Sequence, residues 1–593
     1  MEKIKKRSEA DKNFLWDINE IFADDTAFEA ALAQSATDAK ELAAYSGKFT
    51  ASRESLLEFS QVYEKAGHNI EKVYVYAHLK TNEDLTNAKY QDFAARSRAA
   101  NAKLSEATAF LRPEILSVDE TVLRGYVKGT RFSHWVEDIL TEKPHILSKE
   151  LEEVLASVSE VLSGASNIFE FFDSADLKFE PIKDENGETV EVTHGRYGLF
   201  LNSPDREVRR AAFASIHNEY VKFKNSVAEI YHTAVKADIF VSKTRKYENS
   251  MHMYLSGNSI PTDVYKSLIA AVHEYLPALK KYIGLRKKAL GVDTVRAYDL
   301  LTPIVSGVDE PFTYEEGKNL IMKALSPLGE KYVNDLTAAL NSKWVDVYEN
   351  EGKRSGAYQW GAYGSHPVVS LNYAGRLDDV FTLAHEMGHA MHSFYAYAAQ
   401  PFLYASAPIF LAEIASTVNE NILSDYLIKT AKDDKHKAFH LNSFLDSYRG
   451  TVMRQTMFAE FEMLAHKKAE AGVPLTSDVL SEIYKNLLIE YYGEDFELAE
   501  NNEYEWSRIP HFYSPFYVYQ YATGFSAAMA FSDAVISGET GAQTRYLGFL
   551  ADGAADFPIE TLKKAGLDMT SPETVRKGLE TFARRVDELE KLL

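Results

Sequence analysis

A mainly α-helical protein of more than one lobe is what the sequence predicts, on three observations. The chain has 593 residues, and single hydrophobic cores stop growing at roughly 250–300 residues, so its buried surface has to be divided. Apolar residues recur at helical spacing through most of the length. Segments with strand-like alternation are few and short; the clear ones lie between Leu177 and Leu201 and between Gly356 and Tyr373.

Taken in chain order, the opening MEKIKKRSEADKNFLWDINEIF is basic and then runs straight into acidic residues without an apolar stretch, so it does not read as a signal peptide and a cytoplasmic protein is expected. Glu83 to Leu111 carries apolar residues at helical spacing and is expected to stop at Pro113; Ser148 to Leu162 repeats the pattern. An Asn186-Gly187 pair flanked by FEPIK and TVEVT signals a β-hairpin. We therefore expect a helical N-terminal lobe over 1–195 that ends in this hairpin, and a second region over 196–593.

That second region opens with Ser203-Pro204-Asp205, an N-cap, a proline at the first helical position and an acid behind it, which predicts a helix through Tyr220. GAYQWGAYGSHPVVSLNY reads as a glycine-rich loop followed by a strand over Val368 to Tyr373. Ala390 to Ala412 holds no Asp, Glu, Lys or Arg and is long enough to suggest a membrane span. It also contains His392, Gln400, Pro401 and Pro408, so two buried helix ends joined near the prolines are expected instead.

Composition narrows the function. Hydrophobic residues are 46% and charged residues 26% of the chain, the balance of a soluble globular protein. With no cysteine, disulfides, thiolate metal sites and cysteine nucleophiles are excluded, and any metal has to be held by histidine and carboxylate. The formal charge of −22 repels phosphate backbones and anionic lipid and favours cationic or neutral ligands, so neither nucleic acid nor membrane is expected as a partner.

The strongest motif is DDVFTLAHEMGHAMHS. His385 and His389 are four residues apart and stack on one helical face, able to give two imidazole nitrogens to one ion, with Glu386 beside them. A bare HExxH arises by chance about three times in a hundred such chains, so context has to decide. Val380, Leu383, Ala384, Met387 and Met391 make the rest of the helix apolar, and Gly388 leaves room for a close backbone. Two histidines and a glutamate in such a helix are most simply satisfied by a metal.

A catalytic zinc needs a third protein ligand and an open position. After His389 the first carboxylate is Glu413, 413 − 385 = 28 residues beyond the first histidine, in the helical pattern PIFLAEIASTVNEN. A third histidine six residues after His389 is ruled out because Tyr395 stands there. Glu420, one heptad past Glu413, is an alternative ligand, a partner for a ligand imidazole, or an ordinary surface acid. In SRIPHFYSPFYVYQYATG, Ser514-Pro515 predicts a helix start that leaves His511 in the loop before it and sets Tyr517 and Tyr521 on one face. These groups suit hydrogen bonding to an oxyanion, though aromatic stripes at this spacing are more often plain core.

These blocks, with WDINEIF, KRSGAY, SLNYAGRLDDVFTLAHEMGHAMHS and AEIAST, resemble the thimet-oligopeptidase superfamily of zinc peptidases, specifically its oligoendopeptidase F branch, over most of the chain. The resemblance implies a two-lobed helical ellipsoid around a deep substrate channel, with a small β-sheet beside the active site, and hydrolysis of internal bonds in short peptides with one zinc per chain. Residue by residue it implies His385, His389 and Glu413 as metal ligands, Glu386 as general base, and His511, Tyr517 and neighbouring Tyr521 as transition-state donors. A further tyrosine that thimet-like members carry after this cluster falls at Gly524 here, so that role passes to no residue. Two rivals stay open: a carboxypeptidase or dipeptidyl carboxypeptidase on a similar scaffold, for which Arg508 could hold the substrate carboxylate although a structural arginine is expected there, and a peptide-binding protein without turnover.

Overall fold

Several helix starts are fixed by short polar side chains. Ser52 accepts a hydrogen bond from the Ser55 N–H and opens helix α1 (Arg53–Glu83), and Asn87 accepts from the Lys89 N–H to open the next helix, Ala88–Ala107. Each cap satisfies an N–H that the first turn leaves without a partner. The computed structural model describes residues 4–305, 308 and 311–593.

The helix expected over Glu83 to Leu111 is displaced, since the chain breaks at Asp84 and the helix runs Ala88–Ala107. Pro113 sits in the first turn of a separate helix, Leu111–Ser117, where its missing N–H costs nothing. Lys149–Leu162 follows Ser148 as expected. The hairpin forms as Ile182–Lys183 paired antiparallel with Thr189–Val190, Gly187 taking a φ of 78° in its turn. The helix predicted from Ser203-Pro204 starts two residues later than the proline predicts, at Arg206–Lys222, because Asp205 and not Ser203 caps it through the Glu207 N–H.

The chain divides into two compact units. The first comprises Met1–Pro144, Asp309–Leu423 and Phe531–Gly566, and the second His145–Val308, Ser424–Ala530 and Leu567–Leu593. The boundary expected near residue 195 falls inside the second unit. The physical reason is a shared core, in which Ile182 and Val192 of the hairpin segment pack with Phe213, Ile216, Tyr220 and Tyr298. The core of the first unit gathers Trp16, Phe28, Phe59, Val73 and Leu79 with Ala362 and Val368.

The first unit carries a three-stranded sheet of β1 (Val345–Asp346), β2 (Tyr358–Trp360) and β3 (Val368–Ser370), in the order β1-β3-β2. β3 is parallel to β1 and antiparallel to β2, with Gln359 opposite Val369. The expected strand is thus three residues long and central, paired on both edges, while the strand next to it in GAYQW was not foreseen. Against this sheet packs α2 (Leu377–Ala399), followed by a short turn at Phe402–Tyr404 and then α3 (Ile409–Lys429). The uncharged stretch Ala390 to Ala412 is therefore two helix ends and their connection, and among the described residues no helix is long and apolar enough to cross a membrane. α4 (Ala542–Asp552) closes the far side of α2.

Candidate metal centre

α2 buries Val380, Leu383, Ala384, Met387 and Met391 completely, and this apolar face holds the opposite face fixed. Asp379 accepts from the Arg376 N–H at 2.8 Å to close the helix start. On the remaining face His385 and His389 stand with ring centroids 4.9 Å apart and planes at 81°.

α3 reaches them because Gly388 has no side chain. A Cβ built there would lie 2.6 Å from both the Ala415 carbonyl oxygen and Ser416 Cα, so any other residue would push the helices apart. The contact sets Glu413 Oε2 at 3.4 Å from His385 Nε2 and 3.4 Å from His389 Nε2. Ser416 Oγ donates to the same oxygen at 3.1 Å. Two atoms held about 2.0–2.1 Å from a tetrahedral ion stand about 3.3–3.4 Å apart, so the two imidazoles and the carboxylate fit one ion. Among the described residues this is the one group of three whose ligand atoms, all within 4.8 Å of one another, meet that requirement.

Charge follows the same geometry. Burial opposes a charge on His385, but Glu420, whose Oε1 lies 3.1 Å from Nδ1, together with the nearby charges of Glu386 and Glu413, outweighs it and pushes the imidazole up to about 9. Hydrogen bonding to His389 holds the Glu413 carboxyl down at about 2. Glu386 is buried, which raises its carboxyl above the ordinary range, opposed by the neighbouring histidines and by the Gln359 backbone N–H. A carboxylate of raised basicity beside a metal-ligand face is suited to taking a proton. The Gln359 contact also ties the edge strand β2 to Glu386, a neighbour that no periodicity in the sequence points to.

The other site residues predicted from sequence lie in the second unit. His511 is in the turn Pro510–Tyr513 as expected, but the helix starts at Tyr519, not at Pro515. Phe516 takes a φ of 52°, which no helix tolerates, and its N–H donates to Glu462 instead. Tyr517 therefore precedes the helix and Tyr521 is in its first turn. The rings still meet, Tyr517 against Tyr521 at 5.5 Å and His511 against Tyr521 at 6.1 Å between centroids. Burial and Arg454 lower the His511 imidazole, which keeps it neutral with one N–H to donate. Arg508 is engaged elsewhere, donating to Glu505 at 3.0 Å and lying over the Tyr197 ring at 5.2 Å. It does not serve as the free carboxylate clamp that the exopeptidase rival needs.

Comparison with known proteins agrees with this architecture. The model of peptidase family M3 matches residues 199–581, and that of oligopeptidase F matches 114–179. The chain is 42% identical to oligopeptidase PepF of Bacillus subtilis over 99% of its length and 88% of that protein. It is 39% identical to the group B oligopeptidase PepB of Streptococcus agalactiae, over 99% and 98%. The crystal structure of oligoendopeptidase-F from Enterococcus faecium superimposes with a TM-score of 0.73 at 37% identity, covering 96% of this chain and 99% of that one. With a helix pair that builds a His, His, Glu donor set and whole-length likeness to these enzymes, the chain belongs to peptidase family M3, in its oligoendopeptidase F group.

Proposed function

We propose that the protein is a zinc-dependent endopeptidase that hydrolyses internal bonds of short peptides, holding one zinc through His385, His389 and Glu413. The observation that carries this is the 3.4 Å spacing of Glu413 Oε2 from both Nε2 atoms, with Glu386 buried alongside. The names of the relatives, oligopeptidase and oligoendopeptidase, support short peptides as substrates. When bound, zinc supplies a Lewis acid that acidifies water and polarises a carbonyl. Glu386 takes the proton of the attacking water and returns it to the leaving amine. His511 and Tyr517, with Tyr521 beside them, donate to the developing oxyanion; this assignment rests on the RIPHFYSPFYVYQYATG block.

A substrate backbone needs an open strand edge. β3 is paired on both sides and offers none, so an extended peptide would pair with β2, whose Gln359 already touches Glu386. A cysteine-free chain of this size suits the reducing cytoplasm.

The test is mass spectrometry of a peptide blocked at both ends, incubated with wild type and with Glu386→Gln of known zinc content. Internal cleavage by wild type, lowered about 10²–10⁴-fold in a variant that still binds metal, supports the reading. Trimming of free-ended peptides only would replace it with an exopeptidase, and no turnover of either with a peptide-binding protein.

A further inference from the structure

We propose that the cavity beside His389 receives a lysine or arginine side chain of the substrate next to the bond that is cut, and that Glu71 is the residue that selects it. The inference rests on the metallopeptidase reading above and adds a substrate class to it. The cavity, about 220 Å³, lies within the first unit. Its lining includes Glu71 of α1, Gln359 of the edge strand, His389 and Tyr397 of α2, Ala407 just before α3 and Ala412 in its first turn.

Position links the cavity to the reacting bond. His389 would hold the metal, and the Gln359 backbone N–H meets the Glu386 carboxylate, so a side chain leaving a peptide on β2 at this point enters the space. The alanines leave room for a long unbranched stem, which lysine and arginine bury readily while their heads keep a polar partner.

Glu71 is the group that makes the cavity selective. One carboxylate oxygen accepts the Tyr363 N–H at 3.0 Å, and burial pushes the carboxyl up to about 7 with no basic side chain opposing it. The other buried or half-buried acids of α1 are matched, Glu64 by Arg131 and Glu83 by Arg7 and Lys80. A buried acid without a cation is poorly satisfied until one arrives. An ammonium or guanidinium from the substrate would supply it, and the chain's charge of −22 attracts such peptides.

The experiment compares peptides blocked at both ends that differ only in lysine, arginine or methionine at each position flanking the cut. For wild type, kcat/KM for the lysine or arginine peptide should exceed that of the methionine peptide about tenfold or more at one of the two positions. Glu71→Gln keeps an acceptor for Tyr363 and removes the charge, and should bring that ratio close to one. Glu71→Asp should retain part of the preference, and Ala407→Met, which fills the cavity from another side, should lower cleavage of the basic peptides relative to one with glycine at that position. Equal cleavage by wild type, or a parallel fall of all peptides in Glu71→Gln, overturns the proposal while leaving the endopeptidase reading intact. Absence of any internal cleavage by wild type overturns both.

Discussion

Glu420 Oε1 stands 3.1 Å from His385 Nδ1, so α3 grips both nitrogens of that imidazole: Nδ1 through Glu420, and Nε2 through Glu413, seven residues earlier on the same helix. The carboxylate fixes the tautomer in which Nε2 carries the lone pair toward the metal position. Glu420→Gln should weaken zinc binding about 10–100-fold, measured by competition with a chelator, with Glu386 still buried and the fold unchanged by circular dichroism. Unchanged affinity would reduce Glu420 to a surface acid.

Without metal, the same pair makes stability depend on pH. The His385 imidazole is raised to about 9 in the fold, against about 6.5 in an unfolded chain. Its contribution is therefore complete below pH 6.5 and is lost as pH rises through about 9. In the chelator-treated protein, Tm should fall over that window, and less so in Glu420→Gln. Zinc needs His385 neutral, so the Tm gain on adding zinc should grow across the same window.

Gly388→Ala places a methyl group 2.6 Å from the α3 backbone. The obstructing atoms are main chain and cannot rotate away, so the helices must separate. We expect a loss of about 1–3 kcal/mol in urea unfolding and, because Glu413 moves with α3, a larger drop in zinc affinity than in stability. Retention of both would show that the crossing has slack.

Glu505 lies buried between Arg454, at 2.6 Å, and Arg508, at 3.0 Å, and accepts from Tyr484 Oη at 2.9 Å. Those arginines hold its carboxyl down at about 2 despite burial. Glu505→Gln leaves two guanidiniums uncompensated and should cost about 3–5 kcal/mol, read from chemical denaturation. Arg508→Lys should lower stability as well, yet leave the ratio of cleavage of free-ended to blocked peptides where it was; a selective loss for free-ended peptides would restore Arg508 as a carboxylate clamp.

The sequence by itself determined the helical class and singled out the three donor side chains that the fold brings within reach of one another. His385 and His389 were legible because helical periodicity fixes where residues four apart point, and Glu413 because it is the first carboxylate after them. Helix starts were placed well where no rival N-terminal signal stood nearby, as before Lys149, and misplaced where Asp205 won over Ser203 or the φ of Phe516 delayed a helix past Pro515. Only the tertiary structure decided the rest. That Glu420 serves His385, that β3 is central and β2 the open edge, that Glu71 reaches the cavity beside His389, and that the hairpin belongs with the second unit all depend on contacts between residues tens to hundreds of positions apart. No local pattern records such pairings, because they are settled by which apolar faces find each other in the core, and the polar groups meet where that packing leaves them.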